Sequence, residues 1–155
     1  MTPNELLAQL PLATAIEAIA RIEAIDRDAY RALLSSAAAR RKLRVLFLER
    51  KSRPERHAWI LETLTRPANS DLAEQVLQLW LLGDYKVMIC RYLDDVGIAH
   101  DGEGLLETVP EQPDPSRIDQ AIDTLLASYP AEIVAAYLRM FEAIDETDWP
   151  HLSQR

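Results

Sequence analysis

Apolar residues recur three and four positions apart along most of the chain, the spacing of a helix face. The pattern is densest in DYKVMICRYLDDV, where Tyr85, Met88, Ile89, Tyr92, Leu93 and Val96 fall at i, i+3, i+4, i+7, i+8 and i+11. Val87 and Cys90 widen that face and leave only the stripe Asp84, Arg91, Asp94 and Asp95 for water. Such a pattern predicts a central apolar helix over 84–96, wrapped by other helices. Gly83 before it and Gly97 after it suit the left-handed residue that ends a helix.

The remaining elements are punctuated by caps. Thr2-Pro3-Asn4-Glu5 is a capping box with proline at the first helical position, opening a short helix that stops before Pro11. A helix over 12–25 is expected to turn Leu12, Ile16, Ile19 and Ala20 inward. The next, started by Asp26 or Asp28, carries Tyr30, Leu33, Leu34 and Ala37. That face then loses phase: position 41 is arginine, and the following apolar cluster is Leu43, Leu46 and Phe47. Ser35-Ser36 is the expected slip, followed by a basic amphipathic helix over 40–51. Ser52, Pro54 and Glu55 start a helix with His57, Ile60, Leu61 and Leu64 inward; Ser70-Asp71 starts another with Leu72, Val76, Leu79 and Trp80. After the central helix comes an irregular segment, 97–113, holding three of the four glycines and two prolines. Asp114-Pro115 and Pro130 open the last two helices, and Trp149 is expected to dock a tail, 146–155, that otherwise frays. Leu105–Val109 is the sole strand candidate, and it is short and isolated. The expected fold is all-α, a single domain of seven or eight helices.

Composition narrows the class. A 155-residue chain buries roughly two-thirds of its unfolded surface without metals or disulfides. Cys90 is the single cysteine, so no internal bridge forms, and a free thiol suits a reducing compartment. MTPNELLAQLP shows no basic leader before an apolar run, and no apolar run approaches the ~20 residues that span a bilayer. A cytoplasmic protein without membrane contact is expected. Charge is uneven: residues 1–66 carry twelve Lys/Arg against eight Asp/Glu, a balance of +4. Residues 67–155 carry five against seventeen, a balance of −12, and together these make the net −8. Opposite halves of this kind hold themselves together, pair two copies or recruit a charged partner.

Candidate chemistry is sparse. The stretch from Arg40 to Arg56 holds eight cations and two acids, which suits phosphates or an acidic protein surface. An acidic chain with no stacking aromatics between the cations argues against nucleic acid as a partner. In the loop, His100-Asp101-Gly102-Glu103 could bind a metal, but an EF-hand alignment leaves Gly97 and Ala99 at ligand positions and Thr108 where glutamate belongs. His57 falls on an apolar face and suits a core histidine with one satisfied nitrogen. Cys90 has no CxxC partner and suits an inert thiol. Asp94 and Asp95 oppose the helix dipole, which hints at a nearby cation. No GxSxG, Walker loop, HExxH or Rossmann fingerprint occurs.

The His100-Asp101 dipeptide resembles that of the HD-type metal phosphohydrolases, which are also all-helical. That likeness covers two residues and implies a metal set of His57, His100 and Asp101, completed by Asp119, Asp123 or Asp145. The runs Tyr92–Gly104 and Tyr129–Leu138 resemble a group of small bacterial all-helical proteins, a likeness over the second half that implies a bacterial helical domain and no activity. The leading expectation is a non-enzymatic protein-interaction or adaptor domain, a homodimer or the partner of another protein, without cofactor. Its basic surface would be Arg40, Arg41, Lys42, Arg44, Arg53 and Arg56, and its acidic one Asp94, Asp95, Asp101 and Glu103. The HD-like enzyme and nucleic-acid binding through the basic helix are the alternatives.

Overall fold

The caps and apolar faces fold where the spacing places them, as helices joined by short turns. A computed structural model describes residues 1–144 together with Thr147 and Trp149. Among the described residues there are nine α-helices, one short 3-10 turn and no strand, only an isolated bridge between His100 and Leu106. The fold is all-α, and two of the nine helices are fragments of seven and five residues. The chain divides into two compact units, Met1–Gly83 and the part from Asp84 onward. No described helix is long and apolar enough to cross a membrane.

The first unit begins with α1 (Pro3–Gln9), where the Thr2 amide donates to the Glu5 carboxylate at 2.9 Å. In α2 (Leu12–Ile25) the buried residues are Ala15, Ala18, Ile19 and Ile22, while Leu12 is 71% exposed. The expected face is thus rotated, because alanine lets a neighbouring backbone come close. Two helices exploit this and pack on α2: α3 (Arg27–Arg40) and α5 (Arg53–Leu64). Asp26 caps α3 through the Ala29 amide (3.0 Å), and Ser52 caps α5 through the Glu55 amide (3.4 Å).

The phase slip is real but misplaced in the sequence reading. Helix α3 runs unbroken through Ser35-Ser36 and ends four residues later. Its end is a Schellman motif: the Lys42 amide donates to the Ala39 carbonyl (3.0 Å) and the Leu43 amide to that of Ala38 (2.9 Å). Lys42 holds the left-handed position, φ 56°. The expected basic helix over 40–51 shrinks to α4 (Val45–Glu49), which sinks only Leu48 completely. After a 3-10 turn at Pro67–Asn69, α6 (Ser70–Asp84) buries Leu72, Ala73, Val76, Leu77, Trp80 and Leu81. Leu79, expected inside, is 40% exposed, and Gly83 is helical rather than left-handed.

In the second unit α7 (Lys86–Val96) buries Met88, Ile89, Tyr92, Leu93 and Val96. Val87 is 73% exposed and Cys90 half-buried, so the helix is apolar on one face and not nearly all round. That face packs on α8 (Pro115–Ser128), capped by Asp114 through the Ser116 amide (2.8 Å), and α8 packs on α9 (Ala131–Ile144). Edge-to-face rings of Tyr92, Tyr137 and Phe141 fill the centre, with centroids 5.6–6.3 Å apart. Each such pair contributes about 0.5–1.5 kcal/mol beyond its buried area. Trp149 is 4% exposed and lies 5.2 Å from the Phe141 ring, so the tail docks where its one tryptophan predicts. The expected fraying of 146–155, Thr147 and Trp149 apart, lies outside the described residues.

Candidate functional site

The cations of Arg40–Arg56 separate into two groups once the helices are in place. Arg40 reaches Asp71 with both guanidinium nitrogens, at 2.8 and 2.6 Å, and also contacts Asn69 Oδ1 at 3.3 Å. Those bonds hold the Asp71 carboxyl down at about 2. Arg41 lies over the Trp59 ring at 4.8 Å and faces Glu62 at 3.8 Å. Arg53 pairs with Glu23 at 3.1 Å. Arg56 donates to the carbonyls of Leu48, Glu49 and Lys51 at 3.2, 3.4 and 3.1 Å, closing the C-terminal end of α4. Four of the six predicted surface cations therefore hold the first unit together. The other two, Lys42 and Arg44, are exposed without an ion pair among the described residues, and so is Arg50.

These free cations surround the largest concentration of exposed apolar side chains in the first unit. Leu43, Leu46 and Phe47 are 37%, 49% and 45% exposed. A helix of one and a half turns has room to bury one side chain against its own unit, and Leu48 takes that place. The result is an open groove of about 530 Å³ lined by Arg44, Leu46, Phe47, Arg50, Lys51 and Glu55, with the Lys51 ammonium 4.7 Å from the Phe47 ring. The clue in the sequence is an apolar cluster out of phase with α3 inside a cationic run.

The predicted acidic residues take a different role. Lys86, Cys90 and Asp94 stand four residues apart on α7, and each grips the following loop. Lys86 pairs with Glu103 (2.8 Å), the Cys90 thiol points at the Gly102 carbonyl (3.5 Å), and Asp94 meets Nε2 of His100 (2.7 Å). Nδ1 of His100 accepts from the Gly102 amide at 3.1 Å, so Nε2 carries the proton and donates it to Asp94. Asp101 Oδ1 accepts from the amides of Glu103 and Leu105 at 2.8 and 3.1 Å, which lowers its pKa. Burial, then the Asp94 charge, pushes the Cys90 thiol up, away from thiolate chemistry. Of the predicted acids only Asp95 is exposed without such a bond; its backbone carbonyl accepts from Arg117. Unpredicted, and exposed without an ion pair among the described residues, are Glu107 and Glu111 farther along the loop.

His57 is buried, with Nε2 3.2 Å from Glu23 and its ring edge-on to Tyr30 at 5.9 Å. Burial works to raise the Glu23 carboxyl, but its contacts with His57, Tyr30 and Arg53 outweigh this and leave it below its ordinary value. Burial, with Glu23 alongside, pushes the Tyr30 phenol up to about 12; its hydroxyl makes no hydrogen bond of good geometry. The histidines proposed as metal ligands are thus each engaged by a carboxylate, His57 by Glu23 and His100 by Asp94. Among the described residues no group of three or more His, Cys, Asp or Glu side chains could hold a metal ion. Asp145, a further candidate ligand, lies outside the described residues. No family model, curated protein or solved structure matches the chain.

Proposed function

We propose that the protein is a non-enzymatic interaction domain whose contact surface is the exposed face of α4, built on Leu43, Leu46 and Phe47 and rimmed by Lys42, Arg44 and Arg50. The carrying observation is that these apolar side chains, 37–49% exposed, coincide with cations left unpaired in the first unit. Apolar anchors at the centre of a patch and charge at its rim are what protein interfaces use. An aromatic beside arginines is the combination in which binding energy concentrates. The surface favours an acidic protein segment carrying apolar side chains. Phosphate tracking finds less support, because Arg40, Arg41, Arg53 and Arg56 are engaged inside the unit.

Affinity capture from cell extract tests this reading. The intact chain is compared with Phe47→Ser and Arg50→Glu, each checked for unchanged helix content by circular dichroism. Both substitutions sit on exposed positions. Proteins retained by the wild type, the chain itself included, are expected to be lost from both variants. A folded Phe47→Ser chain that keeps the same retained set and the same oligomeric state overturns the proposal.

A further inference from the structure

Resting on that reading of α4, we infer that its occupant is a second copy of this chain, which inserts residues 103–111 of its loop into the α4 groove. The segment Glu103-Gly-Leu105-Leu106-Glu107-Thr-Val109-Pro-Glu111 alternates acid and apolar at its odd positions. Those five odd positions are all exposed; of the even ones between them Gly104, Leu106 and Pro110 are half-buried and Thr108 is exposed. Alternation with period two is how an extended strand shows one set of side chains to a partner. Leu105 and Val109 are 49% and 79% exposed, and Val109 is the most exposed large apolar side chain described.

The two surfaces complement each other group for group. Leu105 and Val109 offer what Leu46 and Phe47 lack, an apolar cover. Glu107 and Glu111 offer carboxylates where Arg44 and Arg50 stand unpaired. Glu103 is already held by Lys86, so the free acids are the distal two. The segment is also tethered at both ends. The turn at Asp101, the His100–Leu106 bridge and the three grips from α7 fix its start, and the Asp114 cap of α8 fixes its end. Pre-ordering of this kind removes part of the entropy that a free peptide loses on binding. The contact is heterologous, groove of one copy to loop of another, so each copy carries one of each. With nine residues on one side the interface is small, and a dissociation constant in the micromolar range or weaker follows.

Sedimentation equilibrium of the full chain over a wide concentration range is the test. The wild type is expected to self-associate reversibly. Arg44→Glu/Arg50→Glu and Glu107→Lys/Glu111→Lys, each alone, should weaken association at least tenfold. Mixing the two double variants should restore it, because the intact groove of one variant then meets the intact loop of the other, and the two reversed surfaces are again opposite in charge. A wild type that stays monomeric throughout overturns the inference. So does association that the charge reversals leave unchanged. In either case capture of other proteins through Phe47 would leave α4 as an interaction surface, so the two proposals fail separately. Phosphatidylserine vesicles form the last arm: a monomer that co-sediments with them through Phe47 replaces the second copy by a membrane.

Discussion

Gly97→Ala probes how α7 hands the chain to the loop, and the structure gives its cost in two parts. Gly97 is the left-handed residue of a Schellman motif, φ 76°, with the Ile98 amide donating to the Leu93 carbonyl at 2.9 Å. An alanine forced into that conformation loses about 1–2 kcal/mol. The second part comes from Arg117, whose guanidinium lies against the glycine. An added Cβ would stand 2.9 Å from its Nη1 and 3.2 Å from its Cζ. The guanidinium must shift, which weakens the hydrogen bond from Nε to the Asp95 carbonyl, 2.5 Å long at the C-terminus of α7. A charged donor there, exposed to solvent, contributes about 1 kcal/mol. Gly97→Ala should therefore destabilise the protein by roughly 1–3 kcal/mol. Urea unfolding followed by circular dichroism measures it, with tryptophan fluorescence as a second probe of whether the two units unfold together. In an Arg117→Ala background only the backbone part remains, so the same substitution should cost less, by up to about 1 kcal/mol. Equal costs in the two backgrounds would show that Arg117 does not press on Gly97, and the argument would fail.

Other predictions concern the first unit. Arg56→Met removes three hydrogen bonds to the end of α4 and should lower stability by about 1–2 kcal/mol, measured by thermal melting, with Arg56→Lys recovering less than half for want of a planar fork. An unchanged melting temperature would mean that Leu48 alone holds α4. Lys42→Gly relieves a left-handed lysine and should raise stability by about 0.5–1 kcal/mol, seen as a higher urea midpoint at constant slope. Asp71 is depressed from 3.8 to about 2 by Arg40, so its pair is fully stabilising above the unfolded value and is lost as pH falls through about 2. Both side chains are partly exposed, so the effect stays below about 1 kcal/mol. Asp71→Asn should be the less stable protein at neutral pH and should lose less than the wild type between pH 3.8 and about 2. Parallel acid curves for the two proteins would contradict that assignment.

The elements most legible in the sequence were those with local causes. Caps at Ser52, Asp26 and Asp114 and the Gly97 terminator depend on residues one to five apart, and all four stand where their chemistry puts them. His57 as a satisfied interior histidine was legible too, though not the identity of Glu23, thirty-four residues away, as its partner. Gly83 misled because a glycine permits a left-handed turn without requiring one. In α6 it continues the helix, and an added Cβ would lie 3.2 Å from Ile25. The site was legible in part. The cationic run drew attention to residues 40–56, but Arg40 and Arg53 are neutralised by Asp71 and Glu23, acids distant in sequence that charge counting cannot pair with them.

By itself the sequence determined the class of the fold, nearly every helix and the means by which most of them start and stop. Those follow from backbone hydrogen bonding and side-chain spacing within one or two turns. Tertiary structure alone decided which face of each helix is inside and which charges remain for a partner. On α2 the close approach of two helices favours alanines over Leu12, and on α7 a one-sided packing leaves Val87 in solvent. Burial and charge pairing depend on what the chain brings alongside from far away, so only the folded structure separates the cations that hold it together from those on α4 that face outward.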